Sequence, residues 1–171
     1  MKHTIFSTAP VFGLILFIVL SGCTEQRPDL FPQTFPVTMT VTQEGKPLAE
    51  ASVSLRASGV QWSVGGVTGA DGKVKLVTNG YPGAPAGKYK VVIIKQVNEG
   101  LEERNKITAE GNGSDKSIAD AKKIKVRYYS LVKPEYNSEE KTPVEVEITT
   151  STKNLTVDAG PAVKIEEKMP D

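Results

Sequence analysis

From Val37 onward the chain is written in steps of two. Val37, Met39 and Val41 alternate with Thr38, Thr40 and Thr42, which predicts a strand with one buried face. Glu44-Gly45-Lys46-Pro47 is turn chemistry, with Gly45 free to take a positive φ. Ala51, Val53 and Leu55 then alternate with Ser52, Ser54 and Arg56. A third strand is predicted over 62–68, where Gly65-Gly66 suggests a bulge or bend. Asp71-Gly72 signals a hairpin whose far side runs through Val74 and Leu76. Residues 79–86, with Gly80, Pro82, Gly83 and Pro85, exclude regular structure. Residues 89–94 are the most apolar of these strands and predict a central one. Val144, Val146 and Ile148 alternate with acids, and Leu155 and Val157 supply a last strand, extended by Val163 and Ile165. Seven short strands with turns between most of them predict an all-β, two-sheet antiparallel sandwich.

One stretch breaks this rhythm. Residues 98–143 are too long for a sandwich connection, and loops of that length usually carry function or are disordered. Within them Ser117-Ile118-Ala119-Asp120 reads as a helix start, with Ser117 capping and Asp120 at the third position. Ile118, Ala121 and Ile124 would share a face, so one short helical insertion of one to two turns is predicted.

The N-terminus has a different grammar. After Met1-Lys2-His3 comes an unbroken apolar run from Val11 to Leu20. A permanent span needs about 20 such residues, so the run suits the helix of a secretory signal over 1–22. It ends in Leu20-Ser21-Gly22-Cys23, which resembles the bacterial lipobox. That resemblance implies cleavage after Gly22 and lipidation of Cys23, which would make membrane lipid the first partner. Each buried CH₂ contributes about 0.8 kcal/mol, so one acyl chain binds marginally and two or more hold firmly. Thr24 follows in place of Asp, which in Gram-negative lipoproteins implies the outer membrane. Residues 23–36 read as a Pro-rich tether, with Pro28, Pro32 and Pro36 evenly spaced and about 3.1 Å of reach per residue. Leu30, Phe31 and Phe35 are expected to pack its end onto a domain spanning 37–166.

Removing 22 of the 171 residues leaves 149, enough for one domain with a real core. Of 21 Lys and Arg only Lys2 leaves, so 20 cations face 20 acids and the mature charge is zero. Neutrality removes the electrostatic case for a nucleic-acid partner. The single histidine, His3, leaves with the signal, which excludes histidine triads and most zinc chemistry. With no second cysteine there is no disulfide, and the core alone must stabilise the fold.

Three hairpin motifs and a C-terminal pattern carry a resemblance. Residues 44–53 (Glu44-Gly45-Lys46-Pro47 through Val53) resemble the opening hairpin of carboxypeptidase regulatory-like domains. Thr68-Gly69-Ala70-Asp71-Gly72-Lys73-Val74 resembles their Thr-(Asp)-x-Asp-Gly-x hairpin, with Gly69 where Asp is common. Pro85-Ala86-Gly87-Lys88-Tyr89-Lys90-Val91 is similar to their Pro-x-Gly-x-Tyr-x-Val approach to a central strand. Lys133-Pro134-Glu135-Tyr136 before a Thr- and Val-rich strand resembles the end of single-domain lipoproteins of this type. Over 37–158 the resemblance implies a transthyretin-like Greek-key sandwich. It implies little about activity, since each motif is turn chemistry. The hydroxyisourate hydrolase of that fold uses histidines and a Tyr-Arg-Gly-Ser terminus, and this chain has neither. An isopeptide bond to Asn154 would need a Lys where Thr38 and Thr40 stand.

Four aromatic residues are the candidate ligand contacts. Trp62 suits a sugar-stacking platform or a core position at a strand start, and Tyr128, Tyr129 and Tyr136 would rim a binding face or pack the insertion down. Lys122, Lys123, Lys125 and Arg127 form a basic run that Asp115 and Asp120 dilute. Asn112, Ser114 and Asp115 lack the spacing and acid count of a calcium loop. No metal, cofactor or catalytic motif is expected. The expectation is a lipid-anchored module of the bacterial envelope with a structural or adhesive role, binding polysaccharide or serving as an accessory subunit of an envelope protein complex.

Overall fold

The computed structural model describes residues 28, 30–57 and 61–167. The expected signal segment 1–22, with Leu20, Ser21 and Gly22, and the lipidation candidate Cys23 lie outside them. The chain divides into a unit Met1–Phe31 and a unit Pro32–Asp171. In the first, the Phe31 N–H bonds the Pro28 carbonyl at 2.8 Å in a turn, and Leu30 is 90% exposed.

The second unit is built mainly of strands in antiparallel sheets. In chain order they are β1 (Thr34–Phe35), β2 (Thr38–Gln43), β3 (Lys46–Pro47), β4 (Ser52–Arg56), β5 (Val64–Val67), β6 (Lys73–Lys75), β7 (Val77–Thr78), β8 (Tyr81–Pro82), β9 (Ala84–Pro85) and β10 (Gly87–Ile94). After β11 (Gln96–Glu99) come helices α1 (Leu101–Glu110) and α2 (Asp115–Ala121). The rest is β12 (Arg127–Ser130), a 3-10 turn (Pro134–Asn137), β13 (Glu145–Ile148), β14 (Asn154–Asp158) and β15 (Ile165–Glu167). Residues 79–86 therefore do contain structure, because β8 pairs with β7 and β9 pairs with β1 in two-residue ladders.

Two sheets share the core. One runs β13-β10-β4-β5-β7-β8, with the apolar β10 flanked on both sides; the other runs β14-β2-β3, with β6 also on β2. Alternation dictates what they bury: Met39 and Val41 of β2, Val53 and Leu55 of β4, and Val91 and Ile93 of β10 are at most 2% exposed and lie in one cluster. Truncating any large member to Ala typically costs about 2–5 kcal/mol. One pairing departs from the antiparallel expectation. β14 runs parallel to β2, with Leu155 opposite Met39 and Val157 opposite Val41. A parallel pair needs a long crossover, and here everything between Gln43 and Asn154 serves as one.

Local chemistry explains several details. The β2–β3 hairpin turns through Glu44 (φ 52) and Gly45 (φ 76), the double positive φ of a tight two-residue turn. Gly65-Gly66 makes no bulge, since β5 pairs continuously with β4. A Cβ at Gly66 would sit 2.6 Å from Val74 Cγ2, so the glycines permit close approach instead. β15 does not extend β14. Gly160 (φ 73) and Pro161 turn the chain away, and β15 joins β12 in a three-stranded sheet β11-β12-β15.

The insertion is more regular than expected. Two helices occur, and Ser114, not Ser117, caps α2: Ser114 is extended (φ −63, ψ 154) and its Oγ accepts the Ser117 N–H at 3.3 Å. Ser117 is buried and returns a hydrogen bond to the Ser114 carbonyl at 2.8 Å. Thr142 Oγ1 to the Val91 carbonyl (2.7 Å) and Gln43 Nε2 to the Leu131 carbonyl (2.9 Å) fasten the insertion to the main sheets.

Candidate functional site

The four aromatic candidates do not converge. Trp62 is half-buried just ahead of β5. Tyr136, in the 3-10 turn, packs against the core, and its ring fills the space a Cβ at Gly160 would need. Tyr128 and Tyr129 are consecutive in β12, so their side chains leave on opposite faces.

Tyr129 belongs to a polar cluster on the three-stranded sheet. Its hydroxyl donates to Glu99 Oε2 at 3.1 Å, Lys164 Nζ lies 2.6 Å from Glu99 Oε1, and that ammonium sits 4.4 Å above the Tyr129 ring. The hydrogen bond from Lys164, then that from Tyr129, holds the Glu99 carboxyl below its ordinary range. The same bond to Glu99 raises Lys164, and Tyr129, followed by Glu166, raises Arg127. Acid–base catalysts need values tuned toward neutrality. These shifts lead away from it and hold the charged forms of Glu99, Lys164 and Arg127.

Several clefts in the second unit are large enough for a small ligand, among them one of about 520 Å³ beside Glu50, Lys95 and Glu102 and the two described next. One, of about 370 Å³, is bordered by Arg56, Lys88 and Lys90 and by Glu139, Glu145 and Glu147. Register places these charges: Lys90 stands between Arg56 and Glu145, and Lys88 opposite Glu147. Three cations and three acids neutralise one another there. The other cleft, of about 550 Å³, is lined by apolar Phe35, Pro36 and Pro82 and by polar Lys75, Thr150, Thr152, Lys153 and Asn154. No acid lines it.

The second cleft is made by the β14-β2-β6 ladder. Thr38 pairs with Asn154 on one side and Lys75 on the other, and its N–H bonds the Lys153 carbonyl at 2.9 Å. The adjoining turn is cross-tied by hydroxyls: the Thr149 N–H donates to Thr152 Oγ1 at 3.0 Å, and the two Oγ1 atoms are 2.9 Å apart. Two lysines together with apolar lining residues suit an anion carrying an apolar face. Lys75 and Lys153 are 78 positions apart, and no local sequence pattern links them; only strand register does.

Among the described residues no group of three or more His, Cys, Asp or Glu is placed to hold a metal ion, and no helix is long and apolar enough to cross a membrane. No known protein family, curated protein or solved structure matches the chain.

Proposed function

We propose that the chain is a lipid-anchored, non-catalytic protein of the bacterial cell envelope whose β-domain holds a segment of anionic polysaccharide. Anchoring rests on Leu20-Ser21-Gly22-Cys23 behind the basic start and apolar run, with diacylglycerol on the Cys23 thiol. On this reading the fold is the seven-stranded Greek-key sandwich of the transthyretin-like class, β13-β10-β4-β5 over β14-β2-β6. The hairpin motifs at 44–53 and 68–74 and the shared core support it.

The observation that carries the ligand is the acid-free cleft. Lys75 and Lys153 supply positive charge, Thr150, Thr152 and Asn154 supply directional hydrogen bonds, and Phe35 and Pro36 suit the apolar face of a sugar ring. The test is retention of the full chain on uronate- or phosphate-bearing envelope glycans against neutral ones. Anionic glycans should bind, and added salt should weaken them as the screening length falls below ~10 Å. The double change Lys75→Ala, Lys153→Ala should lower affinity roughly fivefold, from about 1 kcal/mol lost at a surface site. Lys88→Ala with Lys90→Ala should change little. Equal retention of neutral glycans, or indifference to the Lys75/Lys153 pair, would overturn the reading.

A second reading, an accessory subunit of an envelope complex, is favoured by one feature. On the outer face of the six-stranded sheet Ile94 and Val67 flank Ser52 in one cross-strand row, 36% and 64% exposed. Stoichiometric co-purification after mild solubilisation, without glycan affinity, would support this reading in place of the first.

A further inference from the structure

Two Asn-x-Ser/Thr triplets occur in the sequence, Asn112-Gly113-Ser114 and Asn154-Leu155-Thr156. Neither has proline at its centre, so both meet the minimal requirement for an N-linked glycan in an exported protein. The fold treats them differently. Asn112 lies in the turn between α1 and α2, where Asn112, Gly113 and Ser114 are all exposed. A Cβ at Gly113 would meet nothing within 4 Å, so the tip of the turn is open. The Asn112 side chain makes no hydrogen bond among the described residues. Ser114 Oγ accepts in its helix cap, which leaves the hydroxyl proton for a transferase to use. Glu110 stands exposed two residues ahead and adds an acidic handle. The helix before the turn buries none of its residues, so drawing the hairpin into an extended acceptor shape disturbs no core packing by α1.

Asn154 is the counter-example. Its triplet lies within β14, in register with Thr38, Met39 and Thr40 of β2. Leu155 packs against the core, and the residue two ahead is Thr152, not an acid. Presenting Asn154 in extended, unpaired form would strip a strand from the sheet.

We propose that Asn112, and not Asn154, is a site of N-linked glycosylation. The donor class is an oligosaccharide carried on a polyprenyl diphosphate. The Asn112 amide nitrogen attacks the anomeric carbon and forms the N–C bond, while the bond from that carbon to the diphosphate oxygen breaks. The electron pair leaves with the polyprenyl diphosphate, the amide gives one proton to the transferase, and nothing is oxidised or reduced. The proposal rests on the export reading above.

The test expresses the full chain in a Gram-negative host carrying a bacterial oligosaccharyltransferase and its lipid-linked donor, followed by intact-mass and peptide mass spectrometry. One glycan per chain is expected on the peptide holding Asn112. Asn112→Gln and Ser114→Ala should abolish it, Ser114→Thr should keep both triplet and cap and retain it, and Asn154→Gln should leave it unchanged. A chain lipidated at Cys23 with Asn112 bare, or with the glycan on Asn154, overturns this proposal alone. A chain that keeps residues 1–22 and carries no lipid overturns the export reading, and the glycan with it.

Discussion

Thr68 ties two turns together with one hydroxyl. Its Oγ1 donates to the Leu48 carbonyl at 2.6 Å and accepts the Ala51 N–H at 2.8 Å, and the residue is 2% exposed. Thr68→Val keeps the shape but strands a buried donor and a buried acceptor, which costs about 1–3 kcal/mol each when unmade. Its urea midpoint should fall well below that of wild type, while Thr68→Ser should stay close. An unchanged midpoint for Thr68→Val would show that water replaces the hydroxyl. The Glu99–Lys164 pair behaves differently, because both side chains are about half exposed. Folding lowers Glu99, so the pair's contribution is complete above the ordinary carboxylate range and fades as pH falls through the lowered value. Folding raises Lys164, so the contribution is complete below the ordinary ammonium range and fades as pH rises through the raised value. Stability from this pair should therefore be flat near neutrality, and Lys164→Gln should move Glu99's NMR titration up toward the ordinary range, with the Tyr129 hydrogen bond keeping part of the lowering. A Glu99 titration that ignores Lys164→Gln would remove the pair from the account.

How much of each element could be read beforehand follows from how it is stabilised. β2 was legible because its alternation is the cause of its burial: Met39 and Val41 are fully buried and the threonines between them are not. The double glycine in β5 misled, since glycine signals either a bulge or close approach, and only the neighbouring Val74 decides between them. Ser114 and Ser117 each offered a capping hydroxyl three residues apart; extended backbone at Ser114 settles the choice. α1 left almost no trace because Leu101, Ile107 and Ala109 form no continuous apolar stripe, and none of its residues is buried. Its support is local: Glu102 and Glu103 at the positive end of the helix dipole and an exposed Lys106–Glu110 pair at 3.8 Å, worth a few tenths of a kcal/mol. The cleft was illegible for a related reason, since its two lysines meet only through the ladder. Hydrogen exchange should rank these elements. Amides of α1 should exchange far sooner than those of β4 and β10, which share the core and open only with it. Equal protection would mean that α1 is held by contacts beyond its local ones.

Across the whole chain, charge and lipid make separable claims about attachment. Residues 23–171 carry 20 cations against 20 acids, so adsorption to an anionic leaflet would depend on a local basic run such as Lys122, Lys123, Lys125 and Arg127. An adsorbed protein of that kind leaves the membrane as salt shortens the screening length to about 3 Å at 1 M. Lipid attachment responds to neither salt nor the basic run, because its strength is apolar burial at about 0.8 kcal/mol per CH₂. The proposed anchor therefore predicts that wild type stays in the membrane fraction through a 1 M salt wash and leaves only with detergent. Cys23→Ala should appear in the soluble fraction, or be retained with an uncleaved N-terminus, and in neither case carry lipid by mass. Neutralising the four basic residues should leave partition unchanged. Salt-extractable wild type, or Cys23→Ala that stays membrane-bound after cleavage, would place attachment on protein or polymer contacts and turn the acid-free cleft from the site of a ligand into the means of anchoring.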